Sequence, residues 1–135
     1  MVNNDIHIRD WMSKCPYVST NTVQRNGQLE YGIYPSSTTI RYHENVLGEN
    51  VPNEIQELDF IFSAKRRYKS NNASMYGFYH DIIKWIDVQN ASMNFPTVNE
   101  GRVTSVIPTL TQYVSEPNMG EERCQIQIHV TYKKH

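Results

Sequence analysis

Residues 124–133 alternate strictly between apolar and polar side chains. The apolar positions are Cys124, Ile126, Ile128, Val130 and Tyr132. Successive side chains of a β-strand point to opposite faces, so the pattern predicts a strand with one buried and one solvated face. Such strands belong to antiparallel sheets, because parallel sheets are covered on both faces. The segment therefore excludes a buried parallel α/β core for this part of the chain.

Two longer segments upstream are also predicted to form strands. Residues 54–68 carry one apolar face, and its members are Leu58, Phe60, Phe62 and Ala64. In the segment 102–114, Pro108 has no amide donor and indicates an edge strand or a β-bulge. Shorter β-like runs cover residues 29–34 and 38–42, whereas residues 43–53 show no steady period and are predicted to be an acidic loop.

Two segments have the periodicity of amphipathic helices. Residues 5–14 are predicted to form the first, with Asn4 as its cap and Pro16 after its end. Its inward positions are Ile8, Trp11, Met12 and Cys15. Residues 71–90 are predicted to form the second. Its apolar stripe consists of Met75, Phe78, Tyr79, Ile82, Ile83 and Ile86, widened by Trp85.

The order of these elements predicts an α+β fold, an antiparallel β-sheet with helices packed mainly on one face. With 135 residues, the chain has the size of a single domain covering residues 1–135. It can bury a core without disulfides or metals. No apolar leader precedes the cysteines Cys15 and Cys124, so we expect free thiols in a reducing cytoplasm.

Composition excludes several classes of protein. A net charge of −1 and a hydrophobic fraction of 39% argue against disorder and against bulk attraction to nucleic acid. No apolar run approaches the ~18 residues that a membrane span needs. The nine tyrosines indicate a polar, aromatic surface suited to protein contacts, or else a tyrosine-rich edge of the core.

The sequence contains no motif that marks an enzyme. G-x-G-x-x-G, Walker, G-x-S-x-G and H-E-x-x-H patterns do not occur. His43-Glu44 begins like a zinc motif, but no second histidine follows at the required spacing. His80 is interpreted as a solvated helix residue, and Cys15 has no histidine near it in sequence. We therefore expect a non-enzymatic protein without catalytic residues, cofactor or metal.

Charged segments are the candidate contacts with partners. The basic run at residues 65–69 ends the long strand, where it either binds phosphate or an acidic partner or only discourages edge pairing. The loops at 43–53 and 115–123 are acidic. The candidate contact residues are Lys65, Arg66, Arg67, Glu44, Glu49, Glu116, Glu121 and Glu122.

Several local patterns together resemble one family of small phage proteins. They are the opening helix ending Trp11-Met12-Ser13-Lys14-Cys15-Pro16, the turn Ile33-Tyr34-Pro35-Ser36, the strand at 58–67, and the helix ending Ile83-Lys84-Trp85-Ile86. A Pro-bearing strand and a final Ile/Val-alternating strand complete the likeness. In these features the whole chain resembles the minor capsid or tail-completion proteins of tailed bacteriophages, related in fold to siphophage tail terminators.

The resemblance implies a structural protein of the virion, assembled in the cytoplasm of the host bacterium. It implies a ring, usually a homohexamer, that caps the tail tube and joins it to the head-side connector or stopper, with genome DNA passing through. The family offers no catalytic motif. A closed ring needs a heterologous contact, in which one surface of a subunit fits a different surface of its neighbour.

A second hypothesis keeps the fold and changes the role. The chain would then be a soluble binding module from a bacterial or prophage gene, recognising a peptide or small ligand along its sheet. A ring in solution favours the assembly protein, whereas a monomer with a deep apolar pocket favours the binding module.

Overall fold

The computed structural model describes residues 3–16, 29–36, 40–67, 75–116 and 121–135. Within these ranges the chain forms two helices, α1 (Asn4–Met12) and α2 (Met75–Ala91). The strands are β1 (Leu29–Pro35), β2 (Tyr42–Glu44), β3 (Asn50–Pro52), β4 (Ile55–Arg67), β5 (Gly101–Glu116) and β6 (Glu121–Lys134). The dipeptide Asn26-Gly27, which is a strong β-turn signal in sequence, and the predicted start of the second helix, at 71–74, lie outside the described residues.

The main sheet has four strands in the order β1-β4-β6-β5, and each neighbouring pair is antiparallel. β2 and β3 form a separate two-stranded hairpin. The predicted α+β class is therefore confirmed. Pro108 lies in the edge strand β5, whose register shifts between Val103 and Ser105 and again between Leu110 and Gln112. A missing amide donor is tolerated at such an edge.

The alternating sequence patterns identify the inner face of the sheet. Residues from β4 and β6 on this face are at most 6% exposed, and they are Leu58, Phe60, Phe62, Ala64, Cys124, Ile126, Ile128, Val130 and Tyr132. Fully burying an aliphatic side chain contributes roughly 1.5–3 kcal/mol. This face is the centre of the hydrophobic core.

Both helices pack on the inner face and also contact each other. Ile8 and Met12 of α1 and Ile82 and Ile86 of α2 are completely buried in the same core. The ring centroids of Trp11 and Trp85 lie 5.0 Å apart, a favourable separation for an aromatic pair. The predicted placement of the helices on one face is confirmed.

The start of α1 differs from the prediction. Asn3 occupies the N-cap position without a side-chain cap bond, and Asn4 is already helical. The Asn4 side chain instead accepts a hydrogen bond from the Asn99 amide (2.9 Å) and donates to the Glu100 carboxylate (2.7 Å). A long-range contact with the loop before β5 has therefore taken the group that the local pattern assigned to capping.

Residues 43–53 were expected to be a loop, and this is wrong for residues 43–44 and 50–52, which are strands, whereas residues 45–49 form a turn. They belong to the β2–β3 hairpin, whose turn is fixed by the Asn45 side chain accepting bonds from the amides of Leu47 and Glu49. Gly48 has a φ of 80°, which glycine adopts at no steric cost. Strands of three residues are too short to show a period. Of the run predicted at 38–42, residues 38 and 39 lie outside the described residues, and the strand begins only at Tyr42.

Candidate functional site

The sheet face opposite the helices, called here the outer face, carries the polar half of each strand. Its central positions are half-buried, and they include Asp59, Ile61, Ser63, Gln125, Gln127 and His129. Both described helices contribute their buried residues to the core on the other side. The outer face is therefore a polar surface that retains contact with solvent.

A charged group of side chains lies at the centre of the outer face. Strand register places Asp59 directly opposite His129, and the Asp59 Oδ1 and His129 Nδ1 atoms lie 2.6 Å apart. The second ring nitrogen, Nε2, lies 3.3 Å from Glu57 Oε1. Arg41 Nε donates to Glu57 Oε2 (2.8 Å), and Gln127 Nε2 donates to Asp59 Oδ1 (3.2 Å). We refer to these residues as the outer-face cluster.

The two carboxylates of the outer-face cluster favour a proton on His129. Partial burial acts to lower the pKa of the imidazole, but the hydrogen bonds and negative charges of Asp59 and Glu57 outweigh it and raise the pKa above 6.5. Both ring nitrogens face carboxylate oxygens, so neither is left to bind a metal or accept a proton from a substrate. The cluster therefore favours a charged imidazole between two carboxylates on the outer face.

Two predicted contact residues, Glu44 and Glu49, meet on the β2–β3 hairpin. Glu44 pairs in register with Asn50, and both glutamates are exposed. Between them, Val46 is fully exposed and Leu47 is 77% exposed. The hairpin tip thus presents two adjacent apolar side chains flanked by carboxylates.

The base of the hairpin is joined to the sheet by Gln56, which is only 2% exposed. Its Oε1 accepts from the Arg41 amide (2.9 Å), and its Nε2 donates to the carbonyl oxygens of Arg41 and Asn53 (2.8 Å each). All three bonds connect one buried side chain to backbone on both sides of the hairpin. The direction in which the hairpin projects is therefore set by the fold.

The basic run and the second acidic segment meet at the opposite end of the sheet. Register places Arg66 opposite Glu122, Arg67 opposite Glu121, and Glu121 opposite Glu116. Of these residues, the structure describes the side chain of Glu122 alone. Because a strand rises about 3.3 Å per residue, the length of β4 puts roughly 40 Å between this end and the hairpin. The predicted contacts fall into two separate groups.

Glu122 was predicted to be a contact residue at the surface, but the structure places it inside the protein. Its side chain is 2% exposed, and its Oε1 accepts a hydrogen bond from the Tyr113 hydroxyl (2.9 Å). It therefore joins β6 to β5 within the sheet. Lys65 is half-buried and, with Arg123, lines an open cleft of about 430 Å³ on the outer face.

The structure also places the histidines and cysteines that the sequence singled out. His43 Nδ1 lies 2.6 Å from Asn53 Oδ1, and exposed His80 stacks on Tyr79 with 4.6 Å between ring centroids. Cys15 and Cys124 are both buried, and no disulfide joins them. Burial, aided by the charge of Glu122, raises the pKa of the Cys124 thiol to about 11. A thiol with this pKa is a poor nucleophile.

Sequence reasoning missed the outer-face cluster because its members are far apart in the chain. Alternation placed Glu57, Asp59 and His129 on solvated strand faces, but only the β4–β6 register brings them together. Across the described ranges, no group of three or more His, Cys, Asp and Glu side chains is arranged to hold a metal ion.

No helix within the described residues is long and apolar enough to cross a membrane.

Comparisons with known proteins identify no relative. No family model, no curated protein and no solved structure matches this chain. The surfaces described above are therefore the basis for assigning a function.

Proposed function

We propose that this protein is a structural assembly protein of a tailed bacteriophage, a tail terminator or tail-completion protein. It would form a ring that caps the tail tube and joins it to the head-side connector. The main support for the proposal is the hairpin tip, where the side chains of Val46 and Leu47 are almost entirely exposed to solvent. Contiguous apolar side chains that are exposed to solvent mark surfaces that another protein covers.

The attachment of the hairpin supports this role. Because Gln56 fixes the hairpin through three hydrogen bonds, little order has to be imposed on it when a partner binds. A contact that is already ordered in the free protein avoids part of the entropic cost of association. Glu44 and Glu49 beside the tip supply charge that selects the partner and its orientation.

The sheet has two unlike edges, and this suits a ring. β1 forms one edge and β5 the other, and they differ in length from 7 to 16 residues. A ring closes through contacts between unlike surfaces of neighbouring subunits. The hairpin tip and the outer face provide further unlike surfaces, so a heterologous contact can form without any self-complementary patch.

The outer-face cluster favours a contact function over a reaction. Its histidine faces a carboxylate at each ring nitrogen, and Glu57 is further neutralised by Arg41. Catalytic acids and bases need a proton position directed at a substrate. A cluster whose donors and acceptors already satisfy one another serves better as a fixed charge pattern on a contact surface.

The second candidate function, a soluble binding module, is favoured by one observation. Residues 101–105 of β5 and 133–135 line an open cleft of about 1100 Å³, which exceeds the volume of many small-molecule sites. The two functions predict different masses in solution. A binding module remains a monomer with its partners absent or present, whereas the assembly protein forms a ring.

The proposal is tested with the hairpin tip. The protein is mixed with the products of the genes adjacent to its own, and assemblies are measured by light scattering and electron microscopy. We expect rings with the native chain and none with the double variant Val46→Asp/Leu47→Asp. The matched control, Val88→Asp, removes a 58% exposed apolar residue from α2 and should leave rings intact.

Melting temperatures of all three proteins establish that each is folded. Rings that persist in the tip variant show that the hairpin is not the contact. A native chain that stays monomeric with every neighbouring gene product overturns the assembly function itself.

A further inference from the structure

The cleft at the start of β5 is basic, and we refer to it as the basic cleft. Every charged side chain that lines it is positive, namely Arg102, Lys133 and Lys134. All three are exposed. The chain as a whole has a net charge of −1, so this concentration of positive charge is local. A concave site whose lining carries several cations and no Asp or Glu side chain concentrates anions.

The cations of the basic cleft are poorly compensated within the protein. Arg102 and Lys133 stand directly opposite each other in the β5–β6 register, where like charges destabilise a sheet. Lys133 Nζ lies 3.7 Å from Glu54 Oε1, and Glu54 is 74% exposed. In the described part of the chain, neither Arg102 nor Lys134 makes a side-chain hydrogen bond or ion pair. A bound anion would relieve this repulsion.

The basic cleft is also lined by apolar residues. Phe95 is half-buried and packs against the core, Pro96 is buried, and Met93 is 77% exposed. Flat apolar and aromatic surfaces of this kind accept the face of a nucleobase. Thr97 and Thr104 also line the cleft and carry hydroxyl groups, and the Thr104 hydroxyl donates to the Thr131 carbonyl (3.3 Å). The cleft therefore combines separate partners for a base, a sugar and a phosphate.

Met93, which lines the basic cleft, is held in an unfavourable backbone conformation. Its φ is 59°, and among the described residues it is the one non-glycine with a positive φ. Met93 follows the end of α2, where the backbone amide of Asn94 donates to the backbone carbonyl of Gln89 (2.9 Å). In helix ends of this type, glycine usually occupies the position that Met93 has here. Met93 thus combines an exposed apolar side chain with a backbone conformation that is unfavourable for any residue except glycine. A residue of this kind does not stabilise the fold, which indicates a functional role such as binding.

We propose that the basic cleft binds a nucleotide unit, with phosphate on Arg102, Lys133 and Lys134 and the base on Met93 and Phe95. The same chemistry is offered by a free nucleotide and by one unit of a single strand. A duplex does not fit, because its bases are stacked away from the apolar residues of the cleft. The inference is independent of ring formation.

The test measures binding of fluorescent oligothymidylate to the purified native chain by anisotropy. Arg102→Gln/Lys134→Gln should weaken binding roughly tenfold or more, equivalent to at least about 1.4 kcal/mol. The slope of log affinity against log salt should fall in magnitude by about 0.7 for each cation removed. Arg9→Gln/Lys84→Gln removes the same charge from exposed helix positions outside the cleft and should bind as the native chain does.

Met93→Gly separates the proposed role from a structural one. Glycine relieves the positive φ, so the melting temperature should rise while affinity for oligothymidylate falls. Affinity that is unchanged in Met93→Gly contradicts the assigned base contact. Competition with adenosine monophosphate shows whether a free nucleotide suffices or a strand is needed, and either source agrees with the proposal.

Three results would overturn the proposal. They are no measurable binding of oligothymidylate or adenosine monophosphate, equal loss of binding in the helix control, and equal affinity for inorganic polyphosphate or duplex DNA. The last result would show a general anion site without a base contact.

Discussion

Asp59 and His129 face each other across β4 and β6, with 2.6 Å between Oδ1 and Nδ1. The other ring nitrogen of His129 faces Glu57 at 3.3 Å. A protonated imidazole between two carboxylates offsets their mutual repulsion on the outer face. The charge state of this one histidine therefore controls the charge pattern of the whole cluster.

Stability should depend on the protonation of His129. Its pKa in the folded protein is raised, whereas the unfolded chain has the ordinary value of about 6.5. Its contribution to folding is therefore fully present below about pH 6.5 and is lost as pH rises through the folded-state pKa. In urea denaturation, the native chain should exceed His129→Gln in free energy of unfolding by more at about pH 6 than at about pH 8.5.

Asp59→Asn provides the control for this pH dependence. The variant keeps the imidazole and removes the first of its carboxylate partners. Its His129 pKa, followed by proton NMR, should fall toward the ordinary value, and the pH dependence should shrink. An unchanged His129 pKa in Asp59→Asn would mean that the Asp59 contact does not hold the proton.

Gln56→Leu should destabilise the protein and loosen the hairpin. The change leaves the Arg41 amide and the carbonyl oxygens of Arg41 and Asn53 without their bonds to Gln56. A buried polar group without a partner costs about 1–3 kcal/mol. Urea denaturation should show a loss of roughly 2–5 kcal/mol. Hydrogen exchange at the amides of Asn45 and Gly48 should accelerate.

The matched control for the hairpin is Gln112→Leu. Gln112 is an exposed residue of the edge strand β5, so this variant makes the same chemical change without burial. Its stability should stay within about 0.5 kcal/mol of the native chain. Similar hydrogen exchange in Gln56→Leu and in the native chain would show that Gln56 does not fix the hairpin.

Ile128 tests the direction in which β6 faces. It is completely buried on the inner face, so Ile128→Ala should cost roughly 2–5 kcal/mol and Ile128→Asp should unfold the domain. Ile107 on β5 is 51% exposed, and Ile107→Ala should change stability by less than about 0.5 kcal/mol. Near-native melting of Ile128→Asp would reverse the assignment of the two faces.

Periodicity was sufficient to predict much of this fold. The alternation in β4 and β6 and the helical spacing of Ile8 and Ile82 each report which side of an element is buried. Burial of apolar side chains contributes most of the free energy that favours folding. Helices and strands with a clear period of apolar residues can therefore be predicted from sequence alone. The edge position of Pro108 could be predicted for a different reason, because proline has no backbone amide hydrogen to donate to a neighbouring strand.

The candidate sites were less predictable because they depend on register and long-range bonds. Glu122 was expected at the surface on its charge alone, yet the Tyr113 hydroxyl meets it inside the sheet. Asn4 was assigned to a local cap and instead binds the loop before β5. No periodicity in sequence indicates that Asp59 pairs with His129, because pairing is fixed by the relative positions of two distant strands.

Reversal of the basic run should weaken ring or tube assembly. The variant Lys65→Glu/Arg66→Glu/Arg67→Glu changes a candidate contact at the end of the sheet, and tails built with it are examined by electron microscopy. The reversal should also affect stability, because the β4–β6 register places residues 66 and 67 opposite Glu122 and Glu121. Like charges directly opposite each other destabilise a sheet, and the effect is larger at residue 66 because Glu122 is only 2% exposed, so a loss of stability is expected as well.

A matched variant separates the two effects of this reversal. Arg9→Glu/Lys14→Glu/Lys84→Glu makes the same change in net charge at exposed positions on or next to the helices. It should assemble normally, since these residues lie away from both groups of candidate contacts. The basic-run variant should assemble more weakly than the native chain even at temperatures where circular dichroism shows it fully folded. Tails of normal length that still join heads would show that the basic run is only a solvated strand end, and the contact would then lie elsewhere on the subunit.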